Sequence, residues 1–172
     1  MKKRCKMRRL YILAAVVILM LSSALIAETE TVKVADFTLN DLDGNPVTIS
    51  ELEGLIILDF WATWCPPCRV EIPFLQDFYD EFHEKGLQIV GISTEDVATQ
   101  KRFVEQMIKD GTEMTYHLLL DPEGIITRKY GVEGIPTTIF VKDDLTQIER
   151  EVGFAPQYAP RFREIIETNL PE

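Results

Sequence analysis

The 172-residue sequence predicts an α/β domain, a central sheet flanked by helices. Three observations point there. The run Leu55-Ile56-Ile57-Leu58-Asp59-Phe60-Trp61 is apolar with scarcely any alternation, as a strand covered on both faces must be. A helical pattern starts soon after it and stops at Gly86, and a second buried strand, Leu87 to Ile92, follows directly. Strand, helix and strand in that order make a parallel pair joined by a right-handed crossover.

The other elements fit around this unit. Phe37-Thr38-Leu39 and Val47-Thr48-Ile49 alternate about the polar turn Asp41 to Pro46, which predicts an N-terminal β-hairpin. Ser50 to Gly54 is a turn. The first helix carries Val70, Phe74, Leu75, Phe78, Tyr79 and Phe82 near a 3.6 period, with Pro73 expected to kink it. A second helix starts near Asp96, is expected to bury Phe103, Val104, Met107 and Ile108, and ends at Gly111. His117 to Leu120 is a short extended piece closed by Asp121-Pro122-Glu123-Gly124. A short helix from Ile125 to Tyr130 stops at Gly131, and Ile139-Phe140-Val141 pairs with the segment around Ile148 to Val152 across Lys142-Asp143-Asp144. Pro160 opens a last amphipathic helix with Phe162, Ile165 and Ile166. The chain contains neither repeats nor low-complexity tracts, so residues 37–172 are expected to form one domain, with 28–36 as a polar linker.

The first 27 residues differ from the rest. Lys2, Lys3, Arg4, Lys6, Arg8 and Arg9 precede an apolar run that continues to Ala27, the layout of an export signal or of an uncleaved membrane anchor. Either way the basic flank stays in the cytoplasm and the body lies outside it. Beyond residue 27, 12 basic residues stand against 28 acidic ones, a formal charge of −16. Such a body repels nucleic acid and anionic membrane surfaces.

The chemistry centres on Trp64-Cys65-Pro66-Pro67-Cys68, at the end of the buried strand and the mouth of the first helix. A zinc site needs about four ligands, and the body offers only these two thiols with His83 and His117, not at ligand spacing. A copper site would want a wider spacing and a placed histidine. As a structural staple so short a loop is worth only about 2 kcal/mol. A redox-active pair remains, with no metal and no cofactor expected. Cys65 falls at the helix N-cap, where unpaired N–H groups and the helix dipole favour a thiolate. Pro66 suits the first helical position and Pro67 removes a further N–H, leaving that of Cys68 as the nearest donor to the Cys65 sulfur.

Two acids stand near. Glu71 lies three residues after Cys68 on the same helical face, as a proton-exchanging group or as a solvated first-turn acid. Asp59 interrupts the apolar strand, as a second proton carrier or as a hydrogen-bonded structural acid.

At these residues the chain resembles the thioredoxin superfamily. Asp59 to Cys68 is similar to the thioredoxin active-site strand and turn, with Pro73 at the family's helix kink. Gly134-Ile135-Pro136-Thr137-Thr138 resembles the loop whose proline is cis and faces the disulfide. Within the superfamily the signal, the hairpin with Asp43-Gly44, the Cys68-x-x-Glu71-x-Pro73 extension and the inserted helix around 96–110 resemble the exported TlpA/ResA-type reductases. That group commonly has Asn where this chain has Asp59.

The resemblance spans about residues 35–155 and implies a thioredoxin-like fold with a mixed sheet. It also implies a thiol–disulfide oxidoreductase that reduces disulfides in exported proteins, apocytochrome c among them, and is itself re-reduced by a membrane electron donor. Cys65 is then the nucleophile, Cys68 the resolving thiol, Glu71 and Asp59 the proton-handling acids. Trp64, Pro66, Pro67, Ile135 and Pro136 would meet the substrate. An oxidant or isomerase is the alternative within the same chemistry. A peroxiredoxin-type peroxidase would want Thr at position 62, which is Ala; a non-catalytic binding protein is a third class.

Overall fold

β3 (Leu55–Phe60) is an interior strand of the sheet, and all six of its residues are buried. The computed structural model describes residues 32–171. The segment 1–27, read as signal or anchor, lies outside the described residues, as do 28–31 of the expected linker. Among the described residues no helix is long and apolar enough to cross a membrane.

Seven strands form one mixed sheet in the order β2-β1-β5-β4-β3-β6-β7. β1 (Thr38–Asp41) and β2 (Pro46–Thr48) are the hairpin, held by the Asp41 carboxylate, which accepts from the N–H groups of Asp43 and Asn45 at 2.9 and 2.8 Å. β3 runs parallel to β4 (Leu87–Ser93), which runs parallel to β5 (His117–Leu120). β6 (Thr137–Lys142) and β7 (Gln147–Val152) complete the sheet antiparallel. The helices are α1 (Pro66–Phe82), α2 (Val97–Lys109), α3 (Ile125–Lys129) and α4 (Ala159–Asn169).

The missing alternation in β3 has a direct cause: both faces are covered. Leu55 and Ile57 join the core formed with α1, α2 and α4, through Ile72, Leu75, Phe103, Met107, Phe162 and Ile166. Ile56, Leu58 and Phe60 join the opposite core with Ile49, Ile126 and Tyr130. Side chains along a strand alternate in direction, so Asp59 faces α1 together with Leu55 and Ile57. The sequence hides this acid in an apolar run, and the fold aims it at the helix that carries the cysteines.

Some expectations need correction. Val70 is exposed on α1, because the buried face runs through Cys68, Glu71, Ile72, Leu75, Phe78 and Phe82. The helix is phased by its first turn, where the cysteine pair and Glu71 point inward. Ile108 is likewise exposed, since Phe103 and Met107 already present the inward stripe of α2. Residues 32–36 are not loose. Val34 N–H donates to Leu145 O at 2.9 Å, Gln147 N–H donates to Val32 O at 2.8 Å, and the Tyr130 hydroxyl bonds Ala35 O. The alternation Val32-Lys33-Val34 is the signal for this added edge pairing.

Candidate active site

β3 ends at Phe60 and α1 begins at Pro66, and the five residues between them deliver the cysteine pair to the sheet's end. Trp61 N–H still follows the ladder, donating to Ile92 O at 3.1 Å, and Cys65 N–H turns back to Ala62 O at 3.2 Å. Cys65 occupies the α1 N-cap in extended geometry, and Pro66 and Pro67 fill the first helical positions. Pro66 fixes that entry, since a residue before proline is kept out of helical backbone. Cys65 and Cys68 are joined as a disulfide. Cys68 N–H donates to Cys65 Sγ at 3.2 Å, so the first free helical donor is aimed at that sulfur. Both cysteines are buried, 2 and 1% exposed, whereas Trp64 next to them is 70% exposed.

Ile135-Pro136 is a cis peptide. In the antiparallel pairing of β3 with β6, Thr137 stands opposite Phe60, which puts Pro136 level with Trp61 at the end of the sheet where the cysteine turn starts. Thr137 Oγ1 donates to Gly134 O at 2.6 Å, and Gly153 N–H donates to Pro136 O at 2.7 Å, so the loop is tied at both ends.

Beneath the disulfide lies a buried acid cluster. Glu71 is fully buried, which removes the solvated first-turn reading. Its Oε1 accepts the Thr138 hydroxyl at 2.6 Å, while Oε2 has no hydrogen-bond partner among the described residues. Asp59 stands directly opposite Thr138 in the β3–β6 register and opposite Gly91 in the β3–β4 register. Paired residues share a face of the sheet, so Thr138, which bonds Glu71, stands on the same face as Asp59. Asp59 Oδ1 is also unpartnered among the described residues. Burial pushes the Asp59 carboxyl up to about 7, and pushes that of Glu71 well above the carboxylate range, with the Asp59 charge adding to burial and the Thr138 hydroxyl partly offsetting it. Two like charges this close do not both ionise readily. The pair therefore holds a proton at neutral pH.

Tyr116, immediately before β5, is buried too. Burial and the charges of Asp59 and Glu71 raise its phenol well above the ordinary range. Trp61 is buried in the same core as Tyr116, its ring 5.3 Å from that of Phe103 on α2. Gly91 is what lets it lie there, since a Cβ at that position would come within 3.0 Å of both Trp61 Nε1 and Leu118 Cδ2.

Of the residues singled out from sequence, Cys65, Cys68, Asp59 and Glu71 meet at one end of β3, with Trp64, Pro66, Pro67, Ile135 and Pro136 in the turn and the neighbouring loop. Tyr116 and the bond from Thr138 to Glu71 were not foreseen. The signal for Thr138 is two consecutive threonines opening a strand that otherwise reads as buried; Tyr116 leaves no signal.

The AhpC/TSA family model matches residues 31–148. The thiol-disulfide oxidoreductase ResA of Oceanobacillus iheyensis is 34% identical over 131 residues, covering 70% of this chain and 66% of its own length, just under two thirds. ResA of Halalkalibacterium halodurans is 31% identical over 134 residues, covering 76% of this chain and 73% of its own. Among solved structures, a Chlorobium tepidum protein assigned as the thiol:disulfide interchange protein DsbE superposes with a TM-score of 0.73 at 28% identity, over 80% of this chain and 95% of that one. The chain belongs to the AhpC/TSA family and has a thioredoxin-like fold, similar to those of proteins named as thiol–disulfide oxidoreductases.

Proposed function

We propose that the chain reduces disulfides in exported proteins through a Cys65/Cys68 dithiol–disulfide cycle. The observation that carries this reading is the cysteine pair at a helix N-terminus, with buried Glu71 in the next turn of that helix and buried Asp59 near the end of the strand before it. The Cys65 thiolate attacks one sulfur of a substrate disulfide, making a mixed disulfide and releasing the other sulfur as a thiolate. Asp59 or Glu71 takes the Cys68 proton, and the Cys68 thiolate attacks Cys65 Sγ. The second substrate sulfur leaves as a thiolate and takes up the proton the acid received, two electrons have passed to the substrate, and Cys65–Cys68 is the disulfide seen in the structure.

A proton acceptor near 7 suits this step, because general bases work best when matched to the working pH. Exposed Trp64 and the Ile135-Pro136 loop, with Pro66 and Pro67 at the turn, form the surface that receives the substrate chain. The leading substrate is the Cys-x-x-Cys-His segment of an apocytochrome c, which must be reduced before haem attachment. A membrane electron donor re-reduces the pair. The segment 1–27 directs the chain across the membrane, as a cleaved signal or a retained anchor, so the domain works outside the cytoplasm.

The test is a trap. Cys68→Ser in the native host accumulates substrate bound covalently to Cys65, and mass spectrometry of the adduct names it. Equal accumulation on Cys68 in a Cys65→Ser variant reverses the assigned roles. Rapid turnover of peroxide with no protein-disulfide reduction would replace the reading by a peroxidase.

A further inference from the structure

Glu95 lies outside both the cysteine turn and the acid pair, in the short link between β4 and α2. We propose that Glu95 is a positioning residue for the redox turn: its carboxylate grips Thr63 and so holds Thr63-Trp64-Cys65 against the head of α1. Oε2 accepts the Thr63 N–H at 2.6 Å, and Oε1 accepts the Thr63 hydroxyl at 2.7 Å. Hydrogen bonds to an ionised acceptor are the strong kind, and two on one residue fix its backbone and side chain together. Apart from the Cys68-to-Cys65 contact, these are the only side-chain hydrogen bonds on residues 61–65 among the described residues.

The grip is itself anchored. Glu95 N–H donates to Ser93 Oγ at 3.3 Å, and Ser93 Oγ donates to Glu95 Oε2 at 3.5 Å. Fully buried Gln100 on α2 donates from Nε2 to Glu95 O at 2.9 Å. The same helix packs Phe103 on Trp61 and holds the Arg69 guanidinium 5.6 Å from the Phe103 ring centre. The segment is therefore held by aromatic packing at Trp61 and by the carboxylate at Thr63. Both holds come from α2 or its lead-in, which gives the inserted helix a task at the redox pair. Loosening Thr63 lets Cys65 Sγ drift from the Cys68 N–H that favours its thiolate.

Position and charge act in opposite directions here. A carboxylate near Cys65 opposes thiolate formation by charge, whereas holding the turn favours it, and that separates the two explanations. In the 172-residue chain, Glu95→Gln keeps both hydrogen bonds, its carbonyl accepting the Thr63 N–H and its amide donating to the Thr63 hydroxyl. Glu95→Ala loses both bonds, Thr63→Val loses one, and Glu105→Ala, an exposed acid on α2, serves as control. The readouts are kcat/KM on a disulfide-bonded peptide, the Cys65 pKa from alkylation rate against pH, and the urea unfolding midpoint.

Glu95→Ala is expected to lower kcat/KM about tenfold and Thr63→Val about threefold, well below the full worth of the charge-assisted hydrogen bonds lost, because the packing of Trp61 on Phe103 still holds the turn. The Cys65 pKa rises in both, whereas Glu95→Gln, which keeps the hold and loses the charge, leaves kcat/KM near wild type with a Cys65 pKa no higher than wild type, and the control stays near wild type in every readout. If Glu95→Ala does not fold, the folded Thr63→Val carries the test. Wild-type rate and Cys65 pKa in Thr63→Val and Glu95→Ala overturn the proposal, and so does a Glu95→Gln variant that behaves like Glu95→Ala.

Discussion

Replacing Asp59 by Asn makes the buried acid neutral while keeping its shape, and the consequence for stability is calculable. Asp59 is fully buried and its carboxyl is pushed from an ordinary 3.8 up to about 7. Between those values the unfolded chain has lost this proton and the native chain still holds it. The native state therefore binds more protons, and stability falls as pH rises through that window, then levels off above it. A tenfold difference in proton affinity is worth about 1.4 kcal/mol, so the penalty at pH 8 is on the order of 4 kcal/mol. Asn carries no such penalty. Urea unfolding of the oxidised protein at pH 4, 5, 6, 7 and 8 should show the variant gaining on wild type by up to that amount. The gain should begin near pH 4 and saturate by pH 8. A constant difference over the whole range would refute the buried-acid argument, because packing alone shifts the curve without tilting it.

Further predictions concern the same site. In the proposed cycle either acid accepts the Cys68 proton, so Asp59→Asn and Glu71→Gln alone should each slow resolution of the mixed disulfide by less than about tenfold, whereas the double variant should lose about 100-fold or more in stopped-flow measurements. Thr138→Val removes the hydroxyl that partly holds the Glu71 carboxyl down, so infrared titration of the Glu71 carboxyl should find its protonated form persisting to higher pH than in wild type. Gly91→Ala places a methyl 3.0 Å from Trp61 Nε1 and should cost about 1–3 kcal/mol in unfolding free energy, with a shift in Trp61 emission.

Much of the fold and of the site is legible in the sequence. The unalternated run 55–60 announced a strand buried on both faces, and the cysteine pair beside Pro66 announced an N-cap, because those signals are local. Hydrophobic periodicity puts Val70 on the inner face of α1 because it counts Glu71 as polar, whereas the helix turns Glu71 inward toward Thr138 and leaves Val70 exposed. The acid pair is a matter of register. Asp59, Thr138 and Glu71 come from three elements, and only the β3–β6 pairing sets the first two side by side. Tyr116 and the Glu95–Thr63 grip join parts of the chain that are distant in sequence, through contacts no spacing rule encodes. The arm 32–34 shows the reverse: its faint alternation sits in a stretch that reads as a polar linker, yet Lys33 forms a bridge to Thr146 at the sheet edge.

The most direct test of the account is the reduction potential of the Cys65–Cys68 couple, measured by equilibration of the purified protein against glutathione and dithiothreitol. A dithiol that reduces exported proteins should lie near thioredoxin's about −270 mV. A value near the about −120 mV of the oxidant DsbA would contradict it, because such a pair takes electrons from its substrates instead of supplying them.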